Sequence, residues 1–221
     1  ILIDELNKKI VAVKINTAFY ESRGASGWTS LEKTIEYLNK NYPELFTIAD
    51  AKRGDIGNTS KMYAKAFFEN LNFDSITLSP YMGWDTVTEF LNYEDKYPII
   101  LALTSNKGAE DFQLPNNLFE DVIVKSKNWE SSDKIIYVVG ATKSDFLKKI
   151  RDIIPNNFLL IPGVGTQDGD VDEVIKSCTT TENKKILINI SRSIIYAGNN
   201  ENFVIEAVKK VDEFNSSINF K

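Results

Sequence analysis

Seven short apolar runs, rich in β-branched residues, recur at positions 11–13, 46–48, 75–78, 99–103, 135–139, 158–161 and 186–190. Runs of that length, bounded by polar or turn residues, read as buried strands. Between them apolar side chains fall at helical spacing: Leu31, Ile35 and Leu38 in one interval, Phe146, Leu147, Ile150 and Ile154 in another. Thr59 or Ser60 is placed to cap the helix carrying Tyr63 and Phe67, and Asp85 to cap the one carrying Val87 and Phe90. Strand alternating with helix over the whole length implies parallel strands with right-handed crossovers. That is an α/β fold, either a doubly wound sheet or a (β/α)8 barrel.

Polar residues choose between the two. Nearly every apolar run is followed by unusual chemistry, with Lys14 and Asn16 after the first, Asp50 and Lys52 after the second, Ser79 and Tyr81 after the third, and Thr104, Ser105 and Asn106 after the fourth. The later runs lead into Gly140 and Thr142, into Pro162, Gly163 and Gly165, and into Ser191 and Arg192. In a barrel all of these converge on one mouth, where such enzymes place their sites; in an open sheet only those at the switch point do. The expected architecture is therefore a (β/α)8 TIM barrel, a single domain over residues 1–221. Seven runs are one short of eight and the first residue is Ile, so the first strand is expected to be missing and the domain N-terminally incomplete.

Composition removes whole classes of chemistry. The chain has 26 Lys and Arg against 31 Asp and Glu, a net charge of -5, with the two signs interspersed, which argues against a nucleic-acid partner. There is no histidine, so Ser-His-Asp and Cys-His catalysis and the His-based metallopeptidases are excluded together. Acid–base work falls to Asp, Glu, Lys, Tyr or the single cysteine, Cys178, which has no Cys or His neighbour for a zinc site. One cysteine, no signal-like start and no apolar stretch near the roughly 20 residues of a membrane span point to a cytoplasmic protein without a membrane partner.

The densest chemistry is the run from Asp50 through Lys52, Arg53 and Asp55 to Thr59, at the end of the strand read over 45–49. Asp50 and Lys52, two apart, are expected on one side of that strand, and Lys14 at the end of the preceding strand brings a second ammonium within a few ångströms. Lys52 among carboxylates is suited to deliver a proton, while Asp50 is suited to press on a substrate anion. A structural ion-pair network is the alternative. A second group comprises Gly163, Gly165, Gln167 and Arg192 after the last two strands, where barrels often bind phosphate; turn-forming glycines and a surface arginine are the alternative there. Ser105, in the turn after the fourth-observed run, offers a hydroxyl to a heterocycle. Tyr81, Met82 and Trp84 read as packing or interface residues, and Lys134, Lys143, Lys148 and Lys149 as solvated surface.

These motifs, taken with the segments 14–21, 80–83, 103–108, 139–142 and 162–165, closely resemble the orotidine 5'-phosphate decarboxylase family, in particular its longer bacterial and apicomplexan branch. The resemblance spans essentially the whole chain with the motifs in order. It implies a lyase of pyrimidine (UMP) biosynthesis that converts orotidine 5'-monophosphate to uridine 5'-monophosphate and carbon dioxide with no cofactor and no metal. By the same resemblance Asp50 faces the substrate carboxylate, Lys52 protonates C6, and Lys14 and Asp55 complete the charged array. Asn16 lines the pocket, Ser105 reads the pyrimidine, Gln167 bridges phosphate and base, and Arg192 grips the phosphate beside the substrate-binding Gly165, with the Gln167 loop closing over it. A homodimer with shared sites is implied, Asp55 and Thr59 reaching into the neighbouring subunit. Two departures stand out: no segment before Lys14 supplies the family's ribose-binding Asp, and Thr166 and Asp168 replace smaller residues beside Gln167. Rival readings are a metal-dependent sugar-phosphate decarboxylase with the same Asp-x-Lys-x-x-Asp signature and a silent nucleotide-binding barrel.

Overall fold

The computed structural model describes residues 1–164, 171–179 and 183–218. Seven strands form one sheet in sequence order: β1 Ala12–Asn16, β2 Phe46–Arg53, β3 Ser75–Leu78, β4 Tyr97–Leu103, β5 Ile136–Val139, β6 Leu159–Pro162 and β7 Ile186–Asn189. The helices are α1 Leu2–Leu6, α2 Ala18–Glu21, α3 Gly24–Asn41, α4 Gly57–Ala64, α5 Trp84–Leu91, α6 Ala109–Phe112, α7 Leu118–Ser126, α8 Ser144–Ile153, α9 Val171–Cys178, α10 Arg192–Ile195 and α11 Phe203–Ser217. The chain divides into two compact units. One holds residues 11–101 and 128–136, the other 1–10, 102–127 and 137–221.

In the unit built on β1 to β3 and most of β4, the strands pair in parallel, with Lys14 opposite Ile48, Asn16 opposite Asp50 and Ser75 opposite Tyr97. Leu31, Ile35 and Leu38 of α3 are buried on the helical spacing that the sequence announced. Gly27 lies where α2 turns into α3; a Cβ there would sit 1.8 Å from the Tyr20 carbonyl oxygen, so no side chain fits. At the opposite end of the strands Asp74 fixes register: its Oδ2 accepts the Thr47 N–H and hydroxyl, each at 2.8 Å, while Thr47 Oγ1 accepts the Asp74 N–H at 2.9 Å.

Two expected caps are corrected here. The α4 helix starts at Gly57 behind an extended Ile56, so Thr59 and Ser60 lie inside its first turn. Ser60 is buried instead and donates to the Thr86 carbonyl at 2.9 Å, tying α4 to α5. Likewise α5 follows Gly83, and Asp85 sits in its first turn without a capping hydrogen bond, where it favours the helix dipole. Lys134 is also no solvated lysine: half-buried, it donates to the carbonyls of Leu91 and Tyr93 at 2.8 Å each.

In the other unit β5, β6 and β7 pair in parallel, and the Gly140 N–H donates to Leu103 at 2.8 Å, joining the ends of β4 and β5. Phe119 of α7 meets Phe146 of α8 edge-on at 5.3 Å, over buried Leu147 and Ile150. Arg151, buried near the end of α8, donates its guanidinium to backbone carbonyls, those of Cys178 (2.9 Å), Asn157 (2.7 Å), Lys185 (3.0 Å), Ile154 (3.1 Å) and, at the longest, Pro155 (3.5 Å). It thereby fastens the last turns of α8 and α9 to the segments entering β6 and β7, and the carbonyl dipoles at two helix C-termini favour its charge.

Candidate active site

Lys14 lies opposite Ile48, two residues before Asp50 on the neighbouring strand, and the Lys14 and Asp50 side chains meet across that offset. Lys14 Nζ donates to Asp50 Oδ2 at 2.6 Å, and Lys52 Nζ takes the other carboxylate oxygen. Asp50 is 8% exposed, Lys14 17% and Lys52 50%. Burial opposes ionisation of Asp50, but the Lys14 charge, aided by hydrogen bonds from both lysines, overcomes it and holds the carboxyl below its ordinary range. An acid so enclosed stays charged only while these partners remain.

Simple strand alternation does not produce the Asp50–Lys52 pair. On β2, Ala49 pairs with Ile76 and Arg53 with Leu78, so Asp50, Ala51 and Lys52 together stand opposite the single residue Thr77. The surplus backbone bulges, and Lys52 adopts a left-handed φ of 47°. Its N–H, displaced from the ladder, donates to Thr77 Oγ1 at 2.9 Å, and that hydroxyl donates to Asp50 Oδ1 at 3.1 Å.

Arg53 braces the same corner. It donates to Glu21 Oε1 at 2.5 Å and to the Ala51 carbonyl at 2.9 Å, and its guanidinium lies 5.4 Å from the rings of both Tyr63 and Phe67. Burial would raise the Glu21 pKa, yet hydrogen bonds from Thr17 and Arg53 prevail and lower it. The α2 helix after β1 is thus locked to the end of β2.

Asp55 is not drawn into this pairing. Its carboxylate accepts the Ile56 N–H at 2.8 Å, and among the described residues it forms no ion pair with Lys14 or Lys52. Thr59 is exposed on α4, beside exposed Ile56 and Met62. Asn16 Oδ1 accepts the Ala18 N–H at 3.1 Å and so turns the chain out of β1. Tyr81, Met82 and Trp84 are exposed rather than packed.

In the other unit Ser105 follows β4, in a turn tied down by Gln113. The Gln113 carboxamide oxygen accepts the Thr104 N–H at 2.7 Å, and its nitrogen donates to Thr104 Oγ1 at 2.9 Å. Gly140 presses on the same turn: a Cβ there would lie 2.6 Å from the Ser105 Cα and N. Arg192 opens α10 with an exposed side chain and no ion pair among the described residues. Gly163 has φ 99° and Val164 is buried. Gly165, Thr166, Gln167 and Asp168 lie outside the described residues. Cys178 is withdrawn from acid–base work; burial pushes its thiol up to about 12, against the lowering influence of Arg151.

Thr77, Glu21 and Gln113 were not singled out by sequence reasoning, and Arg53 was named in the charged run without a role. A signal for Thr77 existed, because Ser75, Thr77 and Ser79 place hydroxyls at every second position of an otherwise apolar strand. For Gln113 there was none.

Comparison with known proteins identifies the family. The model of the "Orotidine 5'-phosphate decarboxylase / HUMPS family" matches residues 1–207. The chain is 56% identical over 215 residues to the orotidine 5'-phosphate decarboxylase of Christiangramia forsetii, covering 96% of this chain and 79% of that protein. Among solved structures, the OMP decarboxylase of Leishmania donovani has a TM-score of 0.84 at 32% identity, covering 97% of this chain and 85% of that one. The UMP synthase of the same organism gives 0.85 at 33% identity over 96% of this chain; this chain spans about half of that protein, 48%. The seven parallel strands with intervening helices are those of the (β/α)8-barrel class. On this evidence the chain belongs to the orotidine 5'-phosphate decarboxylase / HUMPS family.

Proposed function

We propose that the Lys14–Asp50–Lys52 array carries out a metal-free decarboxylation of orotidine 5'-monophosphate to uridine 5'-monophosphate. The observation that carries the reading is the ionised, buried Asp50 held between two ammonium groups. Binding energy from the remote phosphate holds the substrate carboxylate against Asp50, a contact relieved as carbon dioxide leaves. The C6–carboxylate bond breaks, its electron pair stays on C6, and Lys52 transfers a proton there while Lys14 stabilises the developing charge. Asn16 lines the pocket, Ser105 reads the pyrimidine, Gln167 bridges phosphate and base, and Arg192 grips the phosphate beside the substrate-binding Gly165.

The same reading assigns Asp55 and Thr59 to the neighbouring subunit of a homodimer. Its support is that Asp55 stands apart from the local ion pairs, and that Ile56, Met62, Tyr81, Met82 and Trp84 expose apolar surface on nearby elements of one unit. The enzyme works in the cytoplasm as a step of pyrimidine nucleotide synthesis. Incubation with orotidine 5'-monophosphate in excess EDTA tests the chemistry: carbon dioxide and uridine 5'-monophosphate are expected in equal amounts. Tight nucleotide binding without carbon dioxide release, or turnover of a sugar phosphate that needs Mg²⁺, would remove this reading.

A further inference from the structure

We infer that Thr77 is a positioning residue for the decarboxylation, its single hydroxyl setting both the backbone of Lys52 and the carboxylate of Asp50. The inference rests on the reading of Lys52 and Asp50 as the reacting pair.

Direction is fixed by elementary chemistry. The Lys52 N–H is a donor only, so Thr77 Oγ1 must accept from it, at 2.9 Å. The one hydroxyl proton is then left for Asp50 Oδ1, at 3.1 Å. Thr77 is 2% exposed and sits opposite the bulge of β2, where three residues face one. The Lys52 N–H falls within the register shift between β2 and β3 and is taken by this side chain, and a non-glycine residue at φ 47° persists only where its surroundings hold it. The pairing forms within a bulge and not along a regular ladder, and the hydroxyl makes the left-handed turn and the pairing one arrangement. Oδ1 of Asp50 thus receives both Lys52 Nζ and Thr77, while Oδ2 receives Lys14.

The test compares Thr77→Val, which keeps shape and loses the hydroxyl, with Thr77→Ser, which keeps the hydroxyl. In the full chain Thr77→Val is expected to lower kcat roughly ten- to a hundredfold, the range for a lost hydrogen bond to a charged group, with KM within about threefold of the parent. Thr77→Ser should recover most of that loss. An unchanged kcat in Thr77→Val, an equal loss in the two variants, or a rise confined to KM overturns the inference. If Thr77→Val does not fold, Thr77→Ala against Thr77→Ser carries the same comparison; should neither hydroxyl-free chain fold, the hydroxyl serves the fold and the inference fails. A crystal structure of Thr77→Val separates this inference from the assigned activity. Lys52 is expected to leave the left-handed region or to release Asp50, and an unaltered pair overturns the positioning role even if the parent turns over no orotidine 5'-monophosphate.

Discussion

Lys14 Nζ stands 2.6 Å from Asp50 Oδ2, so a carboxylate that is almost fully buried keeps its charge. A pH dependence follows with a definite sign. The folded pKa of Asp50 lies below its ordinary 3.8, so its contribution to stability is present above that value and is lost as pH falls through the folded pKa. Acid denaturation followed by circular dichroism should show a steeper fall for the parent than for Asp50→Asn in that acid window. Parallel curves would mean that the pairing does not differ between folded and unfolded chains.

Lys52→Ala should cut kcat by at least on the order of a thousandfold, as expected for loss of the proton donor. Binding of uridine 5'-monophosphate by calorimetry should change little, because the phosphate contacts proposed above are elsewhere in the chain. A comparable loss of affinity would count against the proton-donor role.

Subunit sharing predicts complementation. Lys52→Ala and Asp55→Ala chains, each inactive alone, should regain roughly a quarter of parental activity after mixing and re-association, because half of the dimers are mixed and each then holds one intact site. Sedimentation of the parent should show a dimer. No recovery from a mixture shown to exchange subunits would assign Asp55 to its own chain's site.

Gly140→Ala forces a methyl group to within 2.6 Å of the Ser105 backbone. Relief requires the turn after β4 to move, at a cost of about 1–3 kcal/mol in stability. If Ser105 reads the pyrimidine, KM should rise as well. Urea denaturation and steady-state kinetics on one sample separate the two effects.

Arg151→Met should destabilise the chain by about 3 kcal/mol or more, because five carbonyls lose their donor together. The remaining folded enzyme should keep the parental kcat, since Arg151 lies at the end of the strands away from Ser105 and Arg192. Urea midpoints and initial rates check the two halves of this statement.

The elements were legible because burial imposes period. Leu31, Ile35 and Leu38 announced α3, and the run at 75–78 coincided with β3. Helix starts were less legible, since Thr59, Ser60 and Asp85 have the chemistry of caps but sit within the first turns of helices begun by glycine or tryptophan. The Lys14–Asp50–Lys52 grouping could be anticipated from strand ends, but the route to it could not. Alternation suggested that Asp50 and Lys52 share a side, whereas a bulge and a left-handed lysine bring them together. Backbone irregularity of that kind leaves no glycine behind to mark it, and Thr77 becomes visible only once the irregularity is seen.

The bulge in β2 spends two residues more than its partner strand, and the even number matters. Side chains on either side of it keep their facing, so Arg53 still turns toward Glu21 as if the ladder had never been interrupted. Removing one residue would reverse everything downstream, and removing two would restore a flat ladder with no place for the lysine. Chimeras between barrels of this kind should therefore tolerate joints before Phe46 or after Arg53 and fail at any joint between.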